Sequence, residues 1–279
     1  MLKENLLKRA LSALVFVVVI LGGILINEYL YVVIFTLITI IALAESYHLF
    51  EKSGNRPQKY YGIFVGLTIY LLTFFVARGD IPPSSYFIAI FLILFLFIFE
   101  IYQDREDHFI SIAFTVFGIV YVVIPMSTLN FIAFSGINNG LFTYEYLLAL
   151  FIILWVNDSG AYLIGSVFGK TKLFERISPN KSWEGTIGGA VFAFIAAYVI
   201  SLFFTGLSLF QWFIFAGITV LFGTYGDLVE SWLKRRAGIK DSGTIMPGHG
   251  GLLDRFDSTL FAAPMIFLFL KIIEYFFIS

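Results

Sequence analysis

Residues 209–278 read LFQWFIFAGITVLFGTYGDLVESWLKRRAGIKDSGTIMPGHGGLLDRFDSTLFAAPMIFLFLKIIEYFFI, two long apolar segments on either side of a polar stretch, Ser231 to Ser258. Each apolar segment is long enough to cross a bilayer as a helix, which takes about 20 apolar residues. The polar stretch gathers cations, carboxylates, a histidine and glycines, although only 13% of the chain is charged. An ordinary membrane loop does not need this density of charge, so we expect a reaction site here.

The composition predicts an all-α polytopic membrane protein. Hydrophobic residues make up 59% of the 279 residues, aromatic residues 19%, and the mean hydropathy is +0.90. A soluble domain of this composition would expose apolar surface that aggregates, and the apolar runs lack the alternation of an outer-membrane barrel. The chain has no cysteine, which excludes disulfides and thiolate metal sites. No basic run interleaved with aromatic residues indicates a nucleic-acid partner.

About nine transmembrane helices are predicted. The apolar runs are Ala10 to Ile26, Tyr29 to Leu49, Tyr61 to Ala77, Ser85 to Ile101, Phe109 to Ala133, Tyr146 to Val167, Thr186 to Phe204, Leu209 to Trp232 and Thr259 to Ile278. A cytoplasmic N-terminus satisfies the positive-inside rule, because only Arg78 then lies in an opposite loop. The C-terminus is then extracytoplasmic, and every motif-rich loop lies on the cytoplasmic side of an inner membrane.

Polar residues divide the chain into two regions. Residues 1–145 are predicted to form an apolar scaffold with dimer or lipid contacts, and residues 146–279 a catalytic transmembrane region that is richer in glycine and ionisable groups.

The eighth span places Asp227, Glu230, Ser231 and Lys234 on one helical face, at i, i+3, i+4 and i+7. Two interpretations are open for this face. The carboxylates favour a divalent metal, whereas Glu230 and Lys234 are also spaced for a structural ion pair within the membrane.

The sixth span is interrupted by Asn157 and Asp158. A carboxylate at the membrane boundary is costly unless it is paired or bound to a metal, so we expect Asp158 to be functional. The small residues that follow, Gly165 in particular, are typical of close helix packing.

The cytoplasmic segment Gly169 to Gly189 precedes the seventh span. Its cluster Asn180, Lys181, Ser182 and Glu184 lies where a helix N-terminus is expected, and backbone N–H groups there favour phosphate. We therefore predict that this cluster binds substrate.

The glycines Gly248, Gly250 and Gly251 allow backbone amides to approach a polyanion where a side chain would obstruct. His249 among them has two open roles, orienting a phosphate oxygen or moving a proton. Ser258 is predicted to be the N-cap of the ninth span, and Asp257 is the alternative cap.

Asp227 and Asp254 are predicted to share a metal ion, with Asp241 or Asp257 as alternates and Asp158 as a further alternate or an outer ligand. Magnesium suits this donor set, because it is usually held by one or two carboxylates together with phosphate oxygens and water. A second cation is left open.

The polar stretch resembles the signature of the phosphatidate cytidylyltransferase family, the CDP-diacylglycerol synthases. The resemblance is carried by Ser231, Lys234, Arg235, Lys240, Asp241, Gly243, Pro247, His249, Gly250, Gly251, Asp254, Arg255 and Asp257. It extends upstream to Asn157 and Asp158 and to Ser178 through Thr186. Met246 departs from the family's usual Ile, Leu or Phe. From Met1 to Tyr146 only the hydropathy is similar.

This resemblance implies that the protein makes CDP-diacylglycerol and pyrophosphate from CTP and phosphatidic acid, with Mg²⁺, among membrane lipids. It implies catalytic roles for Asp227, Asp254, Lys234, Arg235, Lys240, Asp241, His249, Arg255 and Asp257. It implies substrate binding by Asn157, Asp158, Asn180, Lys181, Ser182, Glu184, Ser231, Gly248, Gly250 and Gly251. A homodimer is compatible with the family, although no feature of the sequence requires one.

Two other functions are weighed against this one. A cation-coupled transporter would explain Asp158, Asp227 and Glu230 but leaves the stretch from Lys234 to Asp257 unexplained. A polyprenol or dolichol kinase-like phosphotransferase also binds CTP at a membrane and would transfer the γ-phosphate instead.

Overall fold

The structure is a computed structural model that describes residues 2–104, 107–243, 245 and 250–277. Helices dominate it, as the composition predicts. They are α1 (Leu2–Leu25), α2 (Glu28–Lys52), α3 (Lys59–Arg78), α4 (Tyr86–Ile101), α5 (His108–Gly118), α6 (Ile124–Ala133), α7 (Glu145–Phe168), α8 (Trp183–Phe203), α9 (Leu209–Arg236) and α10 (Leu253–Phe277). A π-helical segment, Ile119–Val123, joins α5 to α6.

Within the described residues, eight helical segments are long and apolar enough to cross a membrane. They correspond to the second through ninth predicted spans, with α5, the π-helical segment and α6 together forming the fifth. In α1, the apolar part Leu11–Leu25 is shorter than these eight. The prediction of a membrane protein is therefore confirmed, whereas the total of nine spans stays a prediction.

The all-α prediction was incomplete, because the segment before α8 contains a β-hairpin. Strands β1 (Lys172–Phe174) and β2 (Ser178–Ser182) pair antiparallel. The turn between them is closed by the Ile177 amide, which donates to the Phe174 carbonyl at 3.1 Å. Strands this short leave no periodicity in the sequence, so the hydrophobic pattern did not reveal them.

Two helices begin earlier than predicted. The α8 helix begins at Trp183 and not at Thr186, because Ser182 is its N-cap and accepts from the Gly185 amide at 3.1 Å. The α10 helix begins at Leu253 and not at Thr259, so the prediction of Ser258 as N-cap was wrong. Consequently Asp254 and Asp257 lie in the first turns of a helix and not in a loop.

The chain forms two compact units, Met1–Asn130 with Arg236–Phe256 and Phe131–Arg235 with Asp257–Ser279. The polar stretch therefore contributes to both units. The predicted division of roles at residue 145 stays a prediction.

In the first unit, buried polar contacts hold the helices in register. The Tyr31 hydroxyl donates to Asn130 Oδ1 at 3.1 Å, and Asn130 Nδ2 donates to the Tyr70 carbonyl at 3.2 Å and to Thr73 Oγ1 at 3.0 Å. Satisfying buried polar groups in this way links α2, α3 and α6, since an unpaired one would be costly. The ring of Phe256, just inside α10, packs on α1 and α2.

In the second unit, the centre is aromatic and closely packed. Trp212 of α9 is fully buried and lies 6.0 Å from the ring of Tyr146 in α7, between centroids. The indole nitrogen of Trp212 donates to the Phe204 carbonyl at 3.1 Å, which fixes the connection between α8 and α9.

Candidate active site

Glycines bring α7 and α8 together beside the predicted site. A Cβ at Gly185 would lie 2.9 Å from the Ala161 carbonyl oxygen and 3.1 Å from the Cα of Gly165. A Cβ at Gly189 would lie 2.6 Å from the Asn157 carbonyl oxygen. The prediction that Gly165 serves packing is therefore confirmed. This close contact also fixes Asn157 against α8.

Glycines also allow α9 to approach α10 closely. A Cβ at Gly226 would lie 2.3 Å from the Asp257 carbonyl oxygen, so only glycine permits this approach. One turn earlier, a Cβ at Gly223 would lie 2.8 Å from the Leu154 side chain and 3.6 Å from Ser258. Asp227, the neighbour of Gly226, is thus placed beside the start of α10.

In the second unit, Asp257 is influenced electrostatically by two other predicted carboxylates. Asp257 of α10 interacts electrostatically with Asp227 of α9, with Asp158 of α7 and with Lys234. Asp257 also accepts from the Ser258 amide at 2.6 Å. Like charges that interact in this way disfavour each other's ionised forms, and a nearby cation counters that effect.

Lys181 supplies one such cation. Its ammonium group forms an ion pair with Asp227, and both side chains are about one-third exposed. The other Asp227 oxygen accepts from the Ser231 hydroxyl at 3.2 Å. Lys181 and Ser231 are predicted to bind substrate, and in the structure both contact Asp227, the predicted metal ligand.

The alternative interpretation of Glu230 and Lys234 is confirmed. Lys234 Nζ donates to Glu230 Oε2 at 2.6 Å, and the Glu230 side chain is fully buried while that of Lys234 is 12% exposed. Burying a carboxylate requires such a partner. Lys234 consequently has a structural contact besides any role with substrate.

The other residues of the predicted substrate cluster, Asn180, Ser182 and Glu184, lie in the hairpin or directly after it. Glu184 accepts from the backbone amides of Lys170 and Thr171, each at 3.1 Å, and so closes the segment between α7 and α8. Ser182 caps α8, while Asn180 is exposed on β2. Substrate contacts of Asn180, Ser182 and Glu184 stay predictions.

In the first unit, Asp254 organises the polar stretch. Its carboxylate accepts from the Ser242 amide at 3.0 Å and from the Gly251 amide at 2.7 Å. Gly250 has a φ of +83°, and a Cβ there would lie 2.5 Å from Asp254 Oδ2. Both glycines thus permit the backbone to fold around this carboxylate, and their contact with a polyanion stays a prediction.

Apart from Lys234, the cationic residues assigned to substrate in the polar stretch are exposed. Arg235, Lys240 and Arg255 are exposed, as is Asp241. The predicted residues Gly248 and His249 lie outside the described residues.

One functional candidate was missed in the sequence. Glu45 of α2 is 6% exposed, and its carboxylate accepts from the Leu253 amide at 2.7 Å and from the Ser242 hydroxyl at 3.3 Å. An ionisable residue inside an apolar span is a functional candidate by default. That signal is visible in the segment ALAESYHLF and would have found Glu45.

A magnesium ion requires hard oxygen donors, and the carboxylates named above are of that kind. Across the part of the chain that the structure describes, no three His, Asp or Glu side chains are gathered in a group that could hold a metal. The ammonium group on Asp227 shows, however, that a positive charge can reach this carboxylate. The sharing of a metal between Asp227 and Asp254 stays a prediction.

Residues 7–273 match the sequence profile described as the cytidylyltransferase family. The chain belongs to this family. A cytidylyltransferase is a nucleotidyltransferase, so the protein is an enzyme, and the transporter interpretation loses its support.

Bacterial members of the cytidylyltransferase family align with almost the whole chain. A phosphatidate cytidylyltransferase of Staphylococcus haemolyticus is 32% identical over 269 residues, which cover 95% of this chain and 97% of that protein. The proteins of the same name from Staphylococcus saprophyticus and Bacillus subtilis are 33% and 34% identical. Those alignments cover 95% and 97% of this chain, and 97% and 98% of the relatives. The similarity therefore includes the N-terminal half, for which the sequence alone supported only a similar hydropathy.

The ion pair between Glu230 and Lys234 allows the structural and chemical roles of Lys234 to be tested separately. Lys234→Met removes this ion pair from a buried carboxylate and should lower stability by about 3–5 kcal/mol. Adding Glu230→Gln removes the carboxylate as well and should restore the melting temperature in detergent. Because Lys234 is also predicted to hold the triphosphate, we expect cytidylyl transfer to stay low in the double variant. Recovery of activity together with stability would reduce Lys234 to a structural role.

Proposed function

We propose that this protein is a phosphatidate cytidylyltransferase, which converts CTP and phosphatidic acid into CDP-diacylglycerol and pyrophosphate for phospholipid biosynthesis. The observation that carries the proposal is the alignment of relatives with this name over 95–97% of the chain. The eight apolar helical segments agree with a substrate whose acyl chains remain in the bilayer.

The chemistry is an in-line displacement at phosphorus. An oxygen of the phosphatidate phosphate attacks the α-phosphorus of CTP, the new P–O bond forms, and the bond to pyrophosphate breaks. No strong general base is needed, since a phosphate monoester is already largely ionised near neutral pH. The site must therefore position two polyanions and reduce their repulsion.

Cationic side chains from the polar stretch would hold these polyanions. Lys234, Arg235, Lys240 and Arg255 are assigned to the triphosphate and the lipid headgroup. Arginine suits this task because its planar group can contact a phosphate through two hydrogen bonds. The exposure of Arg235, Lys240 and Arg255 supports the assignment, since solvent-accessible cations can meet a nucleotide that enters from water.

Magnesium would be held by Asp227 and Asp254, with Asp158, Asp241 and Asp257 as alternates or outer ligands. When bound, the ion would neutralise phosphate charge and stabilise the charge that develops on the leaving pyrophosphate. The electrostatic interaction of Asp257 with Asp227 and with Asp158 supports a cation at this place, because each carboxylate adds negative potential there. A second cation and a homodimer stay open under this proposal.

We place the site on the cytoplasmic side of the inner membrane, where CTP is available. The support is the distribution of Lys and Arg among the loops, which favours a cytoplasmic N-terminus and an extracytoplasmic C-terminus.

Orientation can be tested with single cysteines, because the chain has none of its own. Ser84→Cys lies between α3 and α4, and Lys172→Cys lies in β1; both positions are exposed. In intact cells a membrane-impermeant maleimide should label Ser84→Cys, and it should label Lys172→Cys only after permeabilisation. The reverse pattern would place the N-terminus outside the cytoplasm.

Labelled CTP distinguishes the proposed reaction from a kinase reaction. In membranes that contain the purified enzyme and phosphatidic acid, the label of α-³²P-CTP should enter the lipid and that of γ-³²P-CTP should not. A chelator should abolish incorporation, and added Mg²⁺ should restore it. Incorporation of the γ-label would instead support a kinase, and full synthesis without any multivalent metal would refute the metal assignment.

Asp227→Asn and Asp254→Asn should each lower turnover at least about 100-fold, since loss of a metal ligand removes several kcal/mol of stabilisation. Both variants should remain folded in detergent, because asparagine keeps the shape and one acceptor oxygen. Lys172→Ala, on exposed β1, is the control and should have little effect. Near-normal turnover in either aspartate variant would remove that residue from the metal site.

A further inference from the structure

Glu45 of α2 occupies a place that the reaction described above does not explain. It lies in the N-terminal scaffold, yet its Oε2 accepts from the backbone amide of Leu253 at 2.7 Å and from the hydroxyl of Ser242 at 3.3 Å. Leu253 is the first residue of α10. One carboxylate thus contacts both ends of the segment that runs from Ser242 to Leu253.

The backbone at Gly243 and at Gly251 passes close to Glu45. A Cβ at Gly243 would lie 2.2 Å from Glu45 Oε1, and a Cβ at Gly251 would lie 2.5 Å from Oε2. For Gly243, the three nearest atoms to that Cβ all belong to Glu45. The requirement for glycine at 243 is therefore set by the approach of this carboxylate.

The contact with Leu253 also serves as a helix cap. The first N–H groups of a helix have no partner within the helix, and the helix dipole favours a negative charge at this end. Glu45 provides both an acceptor and a charge at the start of α10. These hydrogen bonds offset part of the cost of burying the carboxylate.

Asp254 reinforces the same arrangement from within α10. It accepts from the amides of Ser242 and Gly251, so both carboxylates contact Ser242, while Asp254 holds Gly251 and Glu45 holds Leu253. Asp241 directly precedes Ser242, and Arg255 follows Leu253 by two residues; they are assigned to the metal and to phosphate under the proposed function. Displacement of the ends would therefore move these groups.

We propose that Glu45 is a positioning residue for nucleotidyl transfer, which fixes the segment from Ser242 to Leu253 and thereby the orientation of Asp254 and Arg255. Glu45 does not touch substrate and acts through the residues that do. The inference rests on the proposed function for its kinetic consequence, while the contact itself is independent of that function.

The first test compares Glu45→Ala and Glu45→Gln with Glu51→Gln, a matched control on the same helix that is 40% exposed. Glu45→Ala should lower kcat about 100-fold, the order of loss that a displacement of 1 Å causes, with a smaller change in KM for CTP. Glu45→Gln keeps the shape and one acceptor for Leu253, so it should fold and lose about 10-fold, because a neutral acceptor binds more weakly. Glu51→Gln should match the wild type.

Hydrogen exchange gives a readout that does not require turnover. The amides of Ser242 and Leu253 are held by Asp254 and Glu45, so a peptide that covers residues 240–255 should exchange faster in Glu45→Ala and Glu45→Gln than in Glu51→Gln. Peptides from α7 and α8 should exchange alike in all variants. A global increase would indicate general unfolding and would count against a positioning role.

A double-mutant cycle tests the contact with Gly243. Gly243→Ala alone should impair turnover, because its Cβ would clash with Glu45. In the Glu45→Ala background the same change should cost little further activity. Additive losses would show that Glu45 is not what excludes a side chain at 243.

The outcomes separate this inference from the proposed function. If the wild type incorporates no label from α-³²P-CTP, the proposed function fails, and the exchange of the 240–255 peptide still decides the contact. If the wild type is active while Glu45→Ala and Glu45→Gln keep its kcat and its exchange pattern, the inference about Glu45 is overturned. Should Glu45→Ala not fold, Glu45→Gln and Glu51→Gln carry the comparison.

Discussion

Ionised side chains inside apolar helices need a partner, and this constraint organises both units of the molecule. In the second unit, Lys181 pairs with Asp227 and Lys234 with Glu230. In the first, the buried carboxylate of Glu45 is met by a helix N-terminus. Each contact offsets the cost of removing a charge from water. Lys181 and Asp227 come from different elements, as do Glu45 and Leu253, so these two contacts also fix where the functional segments lie.

Glycines provide the space that close packing of the helices requires. Gly185 and Gly189 allow α8 to approach α7, and Gly226 allows α9 to approach α10, at distances where any Cβ would clash. Helices in a bilayer gain little from the hydrophobic effect between them, so they rely on such close packing and on polar contacts. Within this packing, Asp257 interacts electrostatically with Asp227 and Asp158, and this negative charge attracts cations.

The polar stretch combines structural and chemical tasks in the same residues. Asp254 holds two backbone amides and is also assigned to a metal, and Lys234 neutralises a buried glutamate and is also assigned to phosphate. Because each residue has a structural and a chemical task, a loss of activity after substitution of one partner alone does not show which task was affected. Variants that change both partners, such as Glu230→Gln with Lys234→Met, separate folding from chemistry.

The sequence by itself determined the membrane class, the approximate position of each helix and the family, because apolar length and the residues between Ser231 and Asp257 are local signals. Both interpretations of Glu230 and Lys234, a metal site and an ion pair, could be stated from the sequence, because helix geometry fixes the i,i+4 spacing. Only the tertiary structure decided that α10 begins at Leu253 and that Glu45 caps it. That hydrogen bond joins residues 208 positions apart, and no local pattern encodes a partner so distant.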